Sequence, residues 1–273
     1  MTDGYQLHVD ISDKDALHEY ELLKVSEGTL NTTPNCNKIV LKFQQDEFYK
    51  QEKLMFSMNA DVRNRLIANR VKYLGKPEDK ITDAEYLRGF KISGIYQSYS
   101  HFSPRWSKYF VEMNGLTCVA DPFGGWGHHL LGMCAAGTKV YYNDFSKPTV
   151  ENVQKIVSFL KLNCDVRFGD ARSFVVPDDC DGVFMCPPYF NQEVYTCGAF
   201  ESIDAYNFIM QSVIGNILES KASVLGVIIR EDYDYLFSEI FNKCIAKEPV
   251  NRSRSHFSKG GKRTEFLYTF YLK

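Results

Sequence analysis

The sequence predicts an α/β fold: a doubly wound, mostly parallel sheet preceded by a small mixed or helical N-terminal region. Three observations carry this. From residue 116 onward, short apolar runs alternate with amphipathic stretches of helical length. The first run, Leu116–Ala120, feeds a glycine loop, Asp121-Pro-Phe-Gly-Gly-Trp-Gly127, and then a helix, the order that places a ligand on a helix N-terminus. Polar residues close the successive runs, so that Asp121, Asp144, Asp170 and Cys186 fall on the carboxyl edge of such a sheet. In open α/β sheets that edge is where ligands bind.

The elements follow in order. Tyr5, Leu7, Val9 and Ile11 alternate with polar residues and predict a strand, and Lys38–Phe43 predicts a second. Val62, Leu66, Val71 and Leu74 recur at helical spacing behind Asp61, with Arg63, Arg65, Arg70 and Lys72 on the same segment. Such a charged helix is usually a solvated face, and contact with phosphate is the sharper alternative. Thr82-Asp83 opens a short helix ending near Gly89. Ser103-Pro104 reads as a helix cap with proline at the first helical position.

After the glycine loop, the spacing predicts a helix over 128–136 and a strand over Lys139–Asn143. That strand ends in Asp144, twenty-three residues after Asp121. An acidic residue at the second strand's tip is placed to accept from ribose hydroxyls. A helix over 148–162 follows, then a strand at Cys164–Phe168 with Gly169-Asp170 at its tip. Gly182–Met185 is the fourth strand. Helices over 203–218 and 233–241 flank a wholly apolar strand at 222–229, and Glu265–Tyr271 is a last alternating strand.

The fourth strand runs into Cys186-Pro187-Pro188-Tyr189. Two prolines lock φ twice and remove two backbone donors, leaving rigid carbonyl acceptors beside an aromatic ring. Acceptors of that kind suit the exocyclic amine of a planar base.

Composition sets the bounds. The 273 residues are 44% apolar and 24% charged, enough for one large or two small domains with a full core. No apolar run reaches membrane-spanning length and no secretory signal opens the chain, so a cytoplasmic protein is expected. The eight cysteines include no C-x-x-C pair, which argues for reduced thiols and against a zinc site. A net charge of −2 gives no global attraction to nucleic acid, so any such partner needs a local basic patch. The loop at 251–263 offers one, with Arg252, Arg254, Lys262 and Arg263 as candidate phosphate contacts.

These residues resemble the S-adenosylmethionine-dependent DNA amino-methyltransferases. Asp-Pro-Phe-Gly-Gly-Trp-Gly is similar to that family's D-P-F-x-G-x-G motif, Cys-Pro-Pro-Tyr to its catalytic tetrapeptide, and Phe102-Ser103-Pro104 to the motif that precedes the glycine loop. The resemblance covers about 99–272, which makes 99–273 a methyltransferase domain of Rossmann-like type and leaves 1–98 as an N-terminal region that contacts DNA. It implies S-adenosylmethionine as cofactor and a base flipped out of DNA, with RNA as the alternative polymer. Phe102, Ser103, Asp121, Phe123, Gly125, Gly127, Asp144 and Asp170 would bind the cofactor. Cys186, Pro187, Pro188 and Tyr189 would be catalytic, Tyr189 stacking on the base, with no metal. The expected reaction is adenine N6 methylation in a restriction–modification setting, ahead of cytosine N4 methylation and of a cofactor-binding pseudoenzyme subunit.

Two departures stand out. Position 186 holds Cys, a weak acceptor, where the family usually has Asp, Asn or Ser. No long insertion provides a target-recognition domain, which shifts specificity to residues 1–98, to short loops or to a partner subunit.

Overall fold

The structure is a computed structural model that describes residues 10–31, 37–58, 60–82, 85, 102–190, 200–250 and 265–273. Its centre is a seven-stranded sheet: β1 Cys118–Asp121, β2 Lys139–Asp144, β3 Cys164–Phe168, β4 Gly182–Met185, β5 Val224–Arg230, β6 Cys244–Val250 and β7 Glu265–Tyr271. The strand order is β3-β2-β1-β4-β5-β7-β6. The first five run parallel, and β7 inserts antiparallel between β5 and β6. The expected mostly parallel α/β architecture is therefore observed.

Side chains alternate across the sheet because successive Cβ atoms point to opposite faces. Ala120, Val183, Met185, Leu225, Val227 and Ile229 enter one core, under the helix Ile203–Glu219 and the 3-10 helix Glu231–Lys243. Val119, Val140, Tyr142, Phe184 and Ile228 enter the other. There they meet three of the α-helices of the described residues. The described α-helices are α1 Asp13–Val25, α2 Asn37–Met58, α3 Ala60–Leu74, α4 Pro104–Asn114, α5 His128–Ala135, α6 Lys147–Leu160 and α7 Ile203–Glu219. Trp106, Phe110 and Val111 of α4, Leu130 and Met133 of α5, and Val150 and Val153 of α6 fill that second core.

A third cluster adds an outer layer. Ala16, Tyr20 and Leu23 of α1 and Ile39 and Val40 of α2 pack on Leu131 of α5 and Ile156 of α6. The predicted strand at Lys38–Phe43 is thus the start of helix α2. Its buried positions, Val40, Gln44 and Glu47, repeat at helical spacing. Gln44 Nε2 donates to Thr149 O at 3.1 Å and Gln44 Oε1 accepts from Asn152 Nδ2 at 3.2 Å, so contacts on α6 override the strand preference of Ile39 and Val40.

The predicted strand at Tyr5–Ile11 lies outside the described residues except for its end. There Ser12 caps α1, its Oγ accepting from Asp15 N at 3.1 Å. Asp61, read as a cap, lies one residue inside α3. Most of the helix expected after Thr82 lies outside the described residues. β6 had no apolar signature to announce it. It alternates half-buried and exposed positions and carries Pro249, which an edge strand tolerates.

Helix α1 is fastened to α4 by a buried lysine. Lys108 Nζ donates to Leu23 O, Lys24 O and Ser26 O at 2.9, 2.8 and 2.6 Å, satisfying carbonyls left over at the end of α1. Helices α4 and α5 cross at Gly132, where a Cβ would stand 1.8 Å from Pro104 O. Gly132→Ala should therefore cost about 1–3 kcal/mol through overpacking. Gly215→Ala, in α7 with open space around it, should gain up to about 1 kcal/mol from helix propensity. Urea denaturation of the two variants checks the opposite signs; equal shifts would show that α4 and α5 do not approach so closely.

Candidate functional site

The carboxyl edge of the sheet gathers most of the expected residues. Asp121, fully buried at the end of β1, accepts from Phe123 N at 3.2 Å and from His129 Nδ1 at 2.9 Å. His129 sits on the first turn of α5, so this pair ties strand end to helix start.

The loop between them lies flat on Tyr142. At Gly124 a Cβ would meet the Tyr142 ring at 2.0 Å, and the Tyr142 hydroxyl donates to Gly125 O. Gly125 and Gly127 adopt φ of 56° and 92°, the left-handed region that glycine enters without penalty. Gly127 opens α5 with no side chain at its cap, leaving the helix N-terminus clear.

Asp144, at the tip of β2, receives Gly125 N at 3.0 Å and Ser146 N at 2.8 Å, one on each carboxyl oxygen. A carboxylate offers about four lone-pair sites, so both oxygens retain capacity for a further donor. Burial raises its pKa to about 6, against the lowering effect of the two backbone donors. Its neighbour Asn143 braces the edge, its Nδ2 donating to Pro122 O at 3.2 Å and to Gly169 O at 3.0 Å. Asn143 Oδ1 is buried and has no hydrogen-bond partner among the described residues.

Asp170, at the tip of β3, is engaged locally. It caps a 3-10 turn through Arg172 N at 2.8 Å, and it holds the Arg172 guanidinium through Nε at 2.9 Å and through Nη2. That guanidinium lowers its pKa. Two exposed aromatics that sequence reasoning passed over, Phe145 and Phe168, follow Asp144 and precede Gly169. Their ring centroids are 6.4 Å apart at 31°. Paired exposed phenylalanines on one polar edge offer a flat apolar surface to a planar group.

Phe102 and Ser103 precede α4. Phe102 is buried edge-on against His129, with centroids 4.2 Å apart, and packs on Trp106 and Phe184. Its ring props the Asp121–His129 pair. Ser103 Oγ is buried without a hydrogen-bond partner among the described residues, and it makes no cap bond.

At the end of β4, Cys186 is half-buried against the core that holds Phe102 and Phe184, Pro187 is buried and Pro188 half-buried. Tyr189 departs from expectation. Its ring is buried, 5.1 Å from the Arg230 guanidinium and 5.2 Å from Tyr233, and its hydroxyl donates to buried Glu265 Oε1 at 2.9 Å. The ring and its hydroxyl are held there because β5 and β7 bring Arg230 and Glu265 into register beside them. Nothing local in the sequence signals that partnership, which spans 76 residues.

The candidate phosphate contacts Arg252, Arg254, Lys262 and Arg263 lie outside the described residues. Of the earlier basic segment, Arg70 is buried and donates through Nε to Glu85 O at 2.8 Å, an internal role.

No protein-family model and no curated protein matches the chain. Solved structures do. TrmN from Thermus thermophilus aligns with a TM-score of 0.46 at 13% identity, over 62% of this chain and 49% of that one. A putative RNA methyltransferase from Pyrococcus horikoshii gives 0.45 at 16%, over 62% and 82%. The 16S rRNA methyltransferase RsmC of Thermus thermophilus, in complex with AdoMet and guanosine, gives 0.44 at 12%, over 65% and 44%. The chain spans about half the length of the first of these. All three are likenesses of fold.

Tyr189→Phe should remove one donor from the buried Glu265 carboxyl and cost about 1–3 kcal/mol of stability. Urea denaturation with Tyr268→Phe as comparison reads this; no loss beyond that control would show the Tyr189–Glu265 bond absent in solution.

Proposed function

We propose that the chain transfers a methyl group from S-adenosylmethionine to the exocyclic amine of a nucleobase, adenine N6 in DNA. The observation that supports this most directly is the juxtaposition, on one sheet edge, of a glycine-lined helix N-terminus, the Asp144 acceptor and the rigid Cys-Pro-Pro-Tyr turn.

The residues fit the cofactor. Asn143 Oδ1 and Ser103 Oγ are buried polar atoms awaiting partners, which an amino-acid or nucleoside ligand supplies. The left-handed glycines leave backbone room, with open space where Gly125 would carry a side chain. Asp144 is the acceptor for ribose hydroxyls, and Phe145 and Phe168 offer the apolar surface for a purine. Asp170 reaches an adenine amine only by sharing a carboxylate that Arg172 already holds, so its role there is secondary.

When bound, the sulfonium cofactor supplies an activated methyl group together with its own leaving group. The chain's part is positioning. An exocyclic aromatic amine is a poor nucleophile because its lone pair is delocalised into the ring. Acceptors directed at its N–H bonds favour a more tetrahedral nitrogen with its lone pair available. The Pro187 carbonyl is the stronger such acceptor and the Cys186 thiol the weaker, which places base choice on the pocket's shape. Tyr189, buried and tied to Glu265, holds the turn in place, and a base lifted from its stack enters beside it.

Two measurements test this. Ribose donors bind the ionised carboxylate, and Asp144 is ionised above about pH 6. Cofactor affinity should therefore be full above that pH and fall as the pH drops through it. Asp144→Ala should weaken binding by about 1–3 kcal/mol and flatten the profile; calorimetry showing unchanged affinity removes Asp144 from the site.

Incubation of the full chain with methyl-labelled S-adenosylmethionine and either DNA or RNA, followed by nucleoside mass spectrometry, should yield N6-methyladenine from DNA. N4-methylcytosine would make Cys186 the guide to the base, and label in RNA alone would change the polymer. Cofactor binding with no label in either polymer would mark a cofactor-binding subunit.

A further inference from the structure

On the opposite, amino edge of the sheet, three potential metal ligands converge that the methyl-transfer site does not use. Cys118 opens β1, while Asp179 and Cys180 lie in the turn before β4. Their ligand atoms all stand within 4.8 Å of one another. The two sulfurs are 3.8 Å apart. That is much longer than a disulfide, at about 2.05 Å, and it matches two thiolates on one tetrahedral centre. With metal–sulfur bonds of about 2.3 Å, tetrahedral geometry puts the sulfurs about 3.8 Å apart. We propose that Cys118, Cys180 and Asp179 bind a borderline-soft divalent cation of the zinc class, with solvent completing the fourth position.

The surroundings support a built site. Asp181 fixes the backbone that carries Cys118, accepting from Thr117 N at 2.8 Å and Cys118 N at 3.1 Å. Asp181 N in turn donates to Cys118 O at 3.0 Å, which locks the two cysteine-bearing segments together. Asp179 Oδ2 is oriented by Lys139 Nζ at 2.8 Å and by the Tyr141 hydroxyl at 3.1 Å, the outer contacts that fix a ligating carboxylate.

Two thiolates, one carboxylate and a divalent cation sum to −1, a charge that Lys139 against Asp179 offsets. The thiols are buried while the Asp179 side chain is about half exposed, so a cation enters from the carboxylate side. Each thiol gives its proton to solvent as its metal–sulfur bond forms.

A bound ion would clip the start of β1 to the entrance of β4. The site is independent of the methyl-transfer reading, lying at the other end of the same strands. The sequence hid it because the two cysteines come from the start of β1 and the turn before β4, 62 residues apart, rather than from a C-x-x-C pair.

The test uses the full chain, reduced, stripped with chelator and supplied with Zn(II) alone. About one equivalent should remain after gel filtration, and X-ray absorption of the wild type should show two sulfurs at about 2.3 Å with lighter atoms completing the shell. Zinc should also raise the melting temperature of the wild type and of Cys244→Ser, but not of Cys118→Ser or Cys180→Ser. Asp179→Asn should weaken retention at least tenfold. The absorption measurement needs no variant, so a misfolded mutant leaves the test intact. No retained zinc, a shell without sulfur or with four sulfurs, or retention unchanged in Cys118→Ser would each overturn the site.

Discussion

The carboxyl edge depends on one buried carboxyl group. Asp121 is removed from water at the end of β1, and a group so placed is tolerated only when its oxygens find donors. Those donors come from Phe123 N and His129 Nδ1, which fixes both the turn after the strand and the first turn of α5. The His129 ring then becomes a surface on which Phe102 and Phe184 pack, so α4 and β4 are set by the same contact. Satisfying one acid thus places the glycine loop, the residues before α4 and the strand leading into Cys-Pro-Pro-Tyr.

How far the sequence shows this depends on the range of the interaction. The alternation of runs, the glycine loop and the acidic tips are local patterns, and each stands where its pattern implied. Lys38–Phe43 failed because Ile39 and Val40 look like strand residues until Gln44 and Glu47 are seen to continue the same buried face. The surroundings of Tyr189 were hidden for the converse reason. Its environment is made by Arg230 and Glu265, which reach it only through strand pairing. The support given by Tyr142 to the glycine loop was missed because an aromatic in a buried strand is expected to pack in the core, and this one does both.

The N-terminal layer shows how a polar contact substitutes for apolar area. Several large apolar residues of α1, including Leu17 and Leu22, remain exposed, so its packing on α5 and α6 is modest. Lys108 compensates by entering the layer between α1 and α4 and serving three backbone carbonyls at once. A cation at a helix C-terminus also opposes the negative end of the helix dipole. Arg105 extends the seam, donating through Nε to Glu27 O at 2.7 Å, while Gly28 N donates to Glu112 Oε2 at 2.8 Å.

The insertion of β7 between β5 and β6 has a consequence for synthesis on the ribosome. Strand β5 is apolar up to Arg230 and wholly buried in the finished sheet, and among the described residues β6 pairs with β7 alone. A chain emerging in order exposes β5 with one flank unpaired until residue 265 follows, and β6 waits beside it without a template. Long-range pairing of this kind is slow, and an open apolar edge recruits other chains. The stretch from 231 to 264 therefore acts as a timer: its length sets how long the nascent protein presents that edge to its neighbours.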